Sequence, residues 1–324
     1  MSLSLGPFRF LSFSGDLEDL AAGRERPDAL KDLDARLPLP NSLRRAADDT
    51  KAAVLAATDL IRAERIAVNE RLGLYVGQQQ IALDYCARFI DSSYKDGPRM
   101  ASPMLFSESV ANNVATHMSL TLGLKGMAQT FIGTRVAGIQ AVMAAAEDVR
   151  SGHVEAGLVV VLGVSSELTR DAYLSVYRPY QRSRRQEMKF MRGAVAMLVR
   201  NGAEGQPELL FTGVRCGGRG PRAQIAAVST LWTEADVRMA DGTRVLDSTL
   251  LLARERSRGV IHRVGETVAS TADLGECYAL DPFVRLLLDG LTHPGGAGRA
   301  VLCLGEEGTA AMLALGGPAR VLKV

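Results

Sequence analysis

The stretch Thr130–Val142, TFIGTRVAGIQAV, decides how the rest of this chain is read. Thr130–Ile132 has the composition of a short strand, and Val136–Arg150 is an alanine-rich segment with helical spacing, with Gly152 past its end as a C-cap. The turn from a buried strand into a helix is where many acyl-transfer enzymes keep a nucleophile. Here that turn holds Thr134, Arg135 and Val136, so the question is why a chain would build it and place an arginine on it.

Working outward, helix and strand patterns alternate. Ala47–Ala63 opens with acidic residues and carries apolar positions at helical spacing. A strand-like run at Leu72–Val76 is followed by helical stretches around Ile81–Ile90 and over Ser107–Leu122. Ala156–Val164 is a continuous apolar run, the pattern of a strand buried on both faces, and Ala194–Leu198 closes the first half. The second half repeats this less clearly, with a strand at Leu209–Val214 and helices at Ala223–Val237 and Asp281–Leu291, the last with Pro282 near its start. Two strands, Ala300–Leu304 and Ala310–Leu315, flank the turn Gly305-Glu306-Glu307-Gly308. Strands alternating with helices predict an α/β fold with sheets covered by helices, and no linker interrupts the chain.

The bulk properties exclude several function classes. The chain has 324 residues with 47% hydrophobic content, and its 38 basic and 36 acidic residues leave a net charge of +2. That balance gives no reason to expect nucleic acid or an acidic membrane as a partner. No apolar run reaches the roughly 20 residues that span a bilayer, and the N-terminus lacks the pattern of a secretory signal. Cys86, Cys216, Cys277 and Cys303 are scattered and read as reduced, mostly buried thiols of a cytoplasmic protein. His117, His153, His262 and His293 form no metal-ligand spacing, and there is no GxGxxG, P-loop or GxSxG motif, so no metal or cofactor is expected.

Several segments in one register resemble the N-terminal half of the β-ketoacyl synthase family. They are Ser102-Pro103-Met104-Leu105-Phe106, Asn112-Asn113-Val114-Ala115, Gly123-Leu124-Lys125-Gly126 and the opening stretch. Glu155–Val164 is similar to the strand after the family's nucleophile helix, Met191–Val195 to its GEGAA turn, and Pro40–Arg62 to an upstream helix. The resemblance implies a thiolase-type five-layer αβαβα fold of two related halves, residues 1–203 and 206–324, with a shortened second half, forming a dimer.

The register fails at the chemistry. Counting from Gly126 puts Arg135 at the family's nucleophilic cysteine. The resemblance puts Asp241, in Asp241-Gly242-Thr243, at the first histidine and Glu276, in Ala272–Glu276, at the second. The terminal glycine-rich gate becomes Gly305–Gly308 and has lost its phenylalanine. A guanidinium is a permanent cation and cannot act as a nucleophile, and two carboxylates would repel a developing enolate rather than stabilise it. The pocket is therefore expected to hold a buried ion network of Arg135 with Asp241 and Glu276, and no catalytic residue.

An inactive copy of a synthase resembles the chain-length factor of a type II polyketide synthase, with the short chain closer to highly reducing, polyene-type systems. That resemblance implies an active ketosynthase and an acyl carrier protein as partners. It places Gln129, Thr130, Phe131, Ile132 and Gly133 on the dimer strand, and Met104, Leu105, Phe106 and Ser109 where residues reach into the partner's pocket, Leu105 and Ser109 setting the tunnel's end. Gln80 and Leu83 match positions lining the family's own acyl pocket. Ordinary core packing explains each of these six positions as well, taken singly. The basic run Arg178–Arg192 fits a carrier-protein contact or a solvated loop. Two other readings stand beside this one: a thiolase-type enzyme with an unconventional nucleophile such as Cys277, and a homodimeric acyl-binding scaffold.

Overall fold

The computed structural model describes residues 2–26, 29–37, 43–79, 83–133, 135–163, 166–181, 190–202, 204–218, 220–248, 276–295, 298–305, 308–317 and 321–322. The first half runs β1 (Leu3–Ser12), α1 (Leu17–Ala21), α2 (Leu33–Arg36), α3 (Asp48–Glu64), β2 (Leu72–Gln78), α4 (Leu83–Asp96), α5 (Pro103–Ser109), α6 (Asn113–Leu122), β3 (Ala128–Ile132), α7 (Ala137–Arg150), β4 (Ala156–Gly163), α8 (Glu167–Gln181) and β5 (Gly193–Asn201). The second runs β6 (Glu208–Cys216), α9 (Pro221–Asp236), β7 (Arg244–Asp247), α10 (Asp281–Thr292), β8 (Gly298–Leu304) and β9 (Thr309–Gly316).

Strand order exposes the duplication. The strands hydrogen-bond in the series β3-β2-β4-β5-β1-β6-β9-β8-β7. Outward from the β1–β6 joint, the series is β1-β5-β4-β2 on one side and β6-β9-β8-β7 on the other. In each, the second strand is antiparallel to both neighbours and the last two are parallel. The joint itself is one register pair, Ser4 with Glu208. Residues 249–275 lie outside the described residues.

Period-two alternation then assigns the layers, because successive strand side chains point to opposite faces. On β4, Leu158, Val160 and Leu162 pack with α3 and α6, whereas Val159 and Val161 pack with α7 and α10. On β8, Val301 and Cys303 face that same central layer, whereas Ala300, Leu302 and Leu304 pack with α9. The result is α3 and α6, first sheet, α7 and α10, second sheet, then α9: five layers, αβαβα. Helix α7 packs against strands of both sheets, and its alanines permit that close approach. A Cβ at Gly138 would lie 2.6 Å from the Phe283 ring and 2.8 Å from Val161, and one at Gly77 would lie 2.7 Å from the Gly138 backbone.

One sequence expectation changes, and three elements appear that the sequence reading did not anticipate. Ser107–Leu122 is not one helix: α5 ends at Ser109, Val110 is extended, and Asn112 opens α6. The break is held by the Asn113 side chain, which donates to the Glu108 carbonyl at 2.9 Å and thereby competes with helix continuation. Strand β1, helix α8 and strand β7 were not anticipated; β1 is buried along its whole length, and its Gly-Pro step hides the pattern. Among the described residues, no helix is long and apolar enough to cross a membrane.

Candidate functional site

Helices α7 and α10 both begin in the central layer. Strand β3 ends at Ile132, Gly133 turns the chain at φ +119°, and Arg135 precedes Val136, the N-cap of α7. Thr134 lies outside the described residues. On the other half, Glu276 leads through a short turn, Tyr278–Leu280, into Asp281, the first residue of α10. Tyr278 holds a left-handed backbone at φ +54°, and its amide donates to Glu276 Oε1 at 2.7 Å.

Arg135 is only 4% exposed, and Glu276, Asp281 and Arg285 are at most 2%. The Arg135 Nη2 donates to both carboxylate oxygens of Glu276, and its Nη1 stands 3.9 Å from Asp281 Oδ2. Asp281 accepts from Arg285 Nε at 2.7 Å and Nη2 at 3.1 Å, and from the Ser248 hydroxyl at 2.5 Å. Two guanidinium groups thus meet two carboxylates in a charge-neutral network. Neutrality matters because the positive end of the α7 dipole favours an anion and disfavours Arg135, by about 0.3–1 kcal/mol in typical cases. Burial would lower the Arg135 pKa, but Glu276 and Asp281 reverse that and keep the guanidinium protonated. Burial pushes the Glu276 carboxyl up, Arg135 pulls it back in part, and the pair is charged because a neutral Glu276 would strand a buried cation. Asp281 is raised by burial yet ends below its ordinary value, since Arg285 and Arg135 outweigh that effect.

The structure brings Arg135 and Glu276 together and leaves Asp241 out. Asp241 is exposed on the turn that starts β7, whereas the site receives the other end of that strand through Ser248. The second anion is Asp281, which sequence reading missed. Its signal was there in Asp281-Pro282-Phe283-Val284-Arg285, an acid and a base four apart on an otherwise apolar helix.

Beside this network stands an aromatic wall. Tyr278 lies 5.5 Å edge-on from Tyr173 of α8 and stacks on Phe190 at 6.2 Å. Phe190 pairs with Glu276 in a β-bridge, and the next amide, Met191, donates to the Glu276 carbonyl at 2.9 Å. Cys277 is fully buried with its Sγ 4.0 Å from Met191 Sδ, and burial pushes its thiol well above the ordinary value. Burial likewise pushes Cys303 up to about 12. Neither thiol is set up to form a nucleophilic thiolate at neutral pH.

The remaining described predicted positions lie on β3, α4 and α5. Strand β3 pairs with β2 alone, leaving its outer edge open among the described residues. Of the predicted positions on α5, Leu105 is buried, whereas Met104 is 40% and Phe106 53% exposed. Ser109 is half-buried, its carbonyl accepting from Cys86 Sγ at 3.3 Å. Leu83 is half-buried at the start of α4, and Gln80 lies outside the described residues. Of the basic run, 182–189 lies outside them too, while Arg192 bonds Asp49 at 3.0 Å. Glu306 and Glu307 of the β8–β9 turn also lie outside. Among the described residues, no group of three or more His, Cys, Asp or Glu side chains is placed to hold a metal ion.

Residues 40–193 match the family model described as beta-ketoacyl synthase, N-terminal domain. A comparison with curated protein sequences gave no match. Solved structures with the same fold include the ishigamide ketosynthase/chain length factor, 17% identical with a TM-score of 0.75, the match covering 98% of this chain and 100% of that one. The type II polyketide synthase acyl-carrier protein AntF in complex with its ketosynthase, AntDE, matches with 15% identity and a TM-score of 0.75, over 98% and 99% of the two chains. The ketosynthase ApeO in complex with its chain length factor ApeC from Xenorhabdus doucetiae matches at 13% and 0.75, over 98% of each. Residues 40–193 are thus similar to the β-ketoacyl synthase N-terminal domain family, and both halves together have the thiolase-type fold of these solved structures.

Proposed function

We propose that this chain is a non-condensing subunit, a chain-length factor, which pairs with an active ketosynthase and shapes an acyl tunnel along the shared interface. The observation that carries the reading is the Arg135–Glu276 pair, buried at the start of α7 where the resemblance puts the nucleophile. Condensation needs a thiolate to accept the acyl group, and a guanidinium held by a carboxylate offers neither a lone pair nor room. The deep burial and raised pKa of Cys277 argue against it as a substitute.

The open flank supports the pairing. Helix α4 has no buried residue, and it exposes Ile90 at 52% and Tyr94 at 87%. Met100 at 71% and Phe106 at 53% continue that apolar surface, and the unpaired β3 edge offers a row of backbone donors and acceptors. Such a surface is what an obligate partner covers. The partner chemistry that fits is a ketosynthase with an intact cysteine, served by a carrier protein bearing the growing chain; a highly reducing, polyene-type system is the finer reading. Co-expression with an active ketosynthase, followed by size exclusion and a condensation assay, tests it. A one-to-one complex active only with both chains is the expected result. A stable lone protein that turns over acyl thioesters would overturn the reading.

A further inference from the structure

Helix α5 is seven residues long, and only Leu105 and Glu108 of it are buried. Glu108 reaches α6, where its Oε1 lies 2.8 Å from His117 Nε2, with both side chains under 10% exposed. The other atoms of the pair, Glu108 Oε2 and His117 Nδ1, are buried without a hydrogen-bond partner among the described residues. The chain between the two helices is pinned as well, Asn113 donating to the Glu108 carbonyl and Gln78 to that of Ala111 at 3.2 Å.

Stability alone does not explain this pair. Two apolar side chains of similar volume would hold α5 against α6 without burying a carboxylate and an imidazole that each leave an atom unmet. What a hydrogen bond adds over an apolar contact is direction, and direction fixes how a short helix is rotated. Met104 and Phe106 flank the buried Leu105 on α5 and are its exposed large apolar side chains, with the Phe106 ring 5.5 Å from Phe89 of α4. Turning α5 about its axis moves both of them.

We propose that the Glu108–His117 bond is the positioning contact that fixes the rotation of α5, so that Met104 and Phe106 set the length of apolar acyl chain accommodated at the shared interface. This rests on the subunit reading above and names its specificity-determining side chains. His117 touches no acyl chain; it acts through Glu108 and α5.

The test uses the purified complex with an active ketosynthase and the variants His117→Leu and His117→Gln. Three quantities are read: total condensation rate, the distribution of carrier-bound product lengths, and hydrogen exchange of the α5 amides. His117→Leu is expected to broaden the distribution by at least one extension unit and to speed α5 exchange, at a near-unchanged total rate. His117→Gln, which keeps a donor for Glu108, is expected to restore both. If His117→Leu does not assemble, a Glu108→Leu/His117→Leu chain leaves neither partner unpaired and carries the same expectation. An active complex whose product lengths are indifferent to these changes overturns the proposal and leaves the subunit reading standing. Failure of the unaltered chain to pair with a ketosynthase overturns both.

Discussion

Arg135 and Glu276, 141 residues apart, meet in the central layer with the arginine Nη2 donating to both carboxylate oxygens. The pair joins the starts of the two pseudo-equivalent helices α7 and α10, so it ties one half of the duplicated fold to the other.

Removing one partner should expose how far the fold depends on it. Arg135→Ala leaves Glu276 buried and uncompensated and is expected to cost about 3–5 kcal/mol of unfolding free energy. Replacing both residues with methionine is expected to recover most of that loss, because Asp281 keeps Arg285 and no charge is stranded. Urea midpoints of the parent, the single and the double variant decide it; equal midpoints for parent and Arg135→Ala would refute the account.

On the proposed subunit reading, substitutions in α5 should separate packing from specificity. Leu105 is 8% exposed, so Leu105→Trp should overpack its own subunit and cost about 1–3 kcal/mol. Phe106→Ala should leave stability nearly unchanged and lengthen the product of the paired enzyme, read by mass spectrometry of carrier-bound chains. Unaltered lengths with Phe106→Ala, or a shortened product with a fully stable Leu105→Trp, would reverse these assignments.

Thiol labelling tests the proposal that no cysteine of this chain serves as a nucleophile. Cys216 is exposed, Cys86 half-buried, and Cys277 and Cys303 buried. Iodoacetamide on the native protein is expected to modify Cys216 first and Cys86 more slowly, sparing the two buried thiols until unfolding. Rapid, acyl-thioester-protected labelling of Cys277 would favour the enzyme reading instead.

Asp49, on the first turn of α3, supplies a pH signature. Burial raises its carboxyl from 3.8 to about 6, against the pull of Arg192. Between those values the folded chain holds a proton that the unfolded chain has released. Its contribution to stability therefore grows as pH falls through 6 towards 4, by at most about 1.4 kcal/mol per pH unit. Asp49→Asn should remove that component, so the stability difference between parent and variant should shift in the parent's favour on acidification. A difference that stays constant from pH 7.5 to about 4.5 would show that Asp49 titrates normally.

Much of this protein was legible in one dimension. The apolar run of β4, the alanine-rich α7 and the Thr130–Val142 turn carry their own local periodicity, and they specified the α/β layers and placed Arg135 at the start of α7. Counting from Gly126 and the family resemblance put Arg135 in a network with Asp241 and Glu276, of which the structure joins Arg135 and Glu276. What depends on distant contacts was not legible. Asp241 and Asp281 are both plausible acids in sequence, and only the packing of β7 against β8 shows that Ser248 and Asp281, rather than Asp241, reach the site. The break between α5 and α6 turns on one side chain, Asn113, and the choice of Met104 and Phe106 over Leu105 for the open face follows from how α5 is rotated against α6. Periodicity says that a face exists; which neighbour covers it, and which charge answers a buried charge, is decided when segments far apart in the chain are brought into contact.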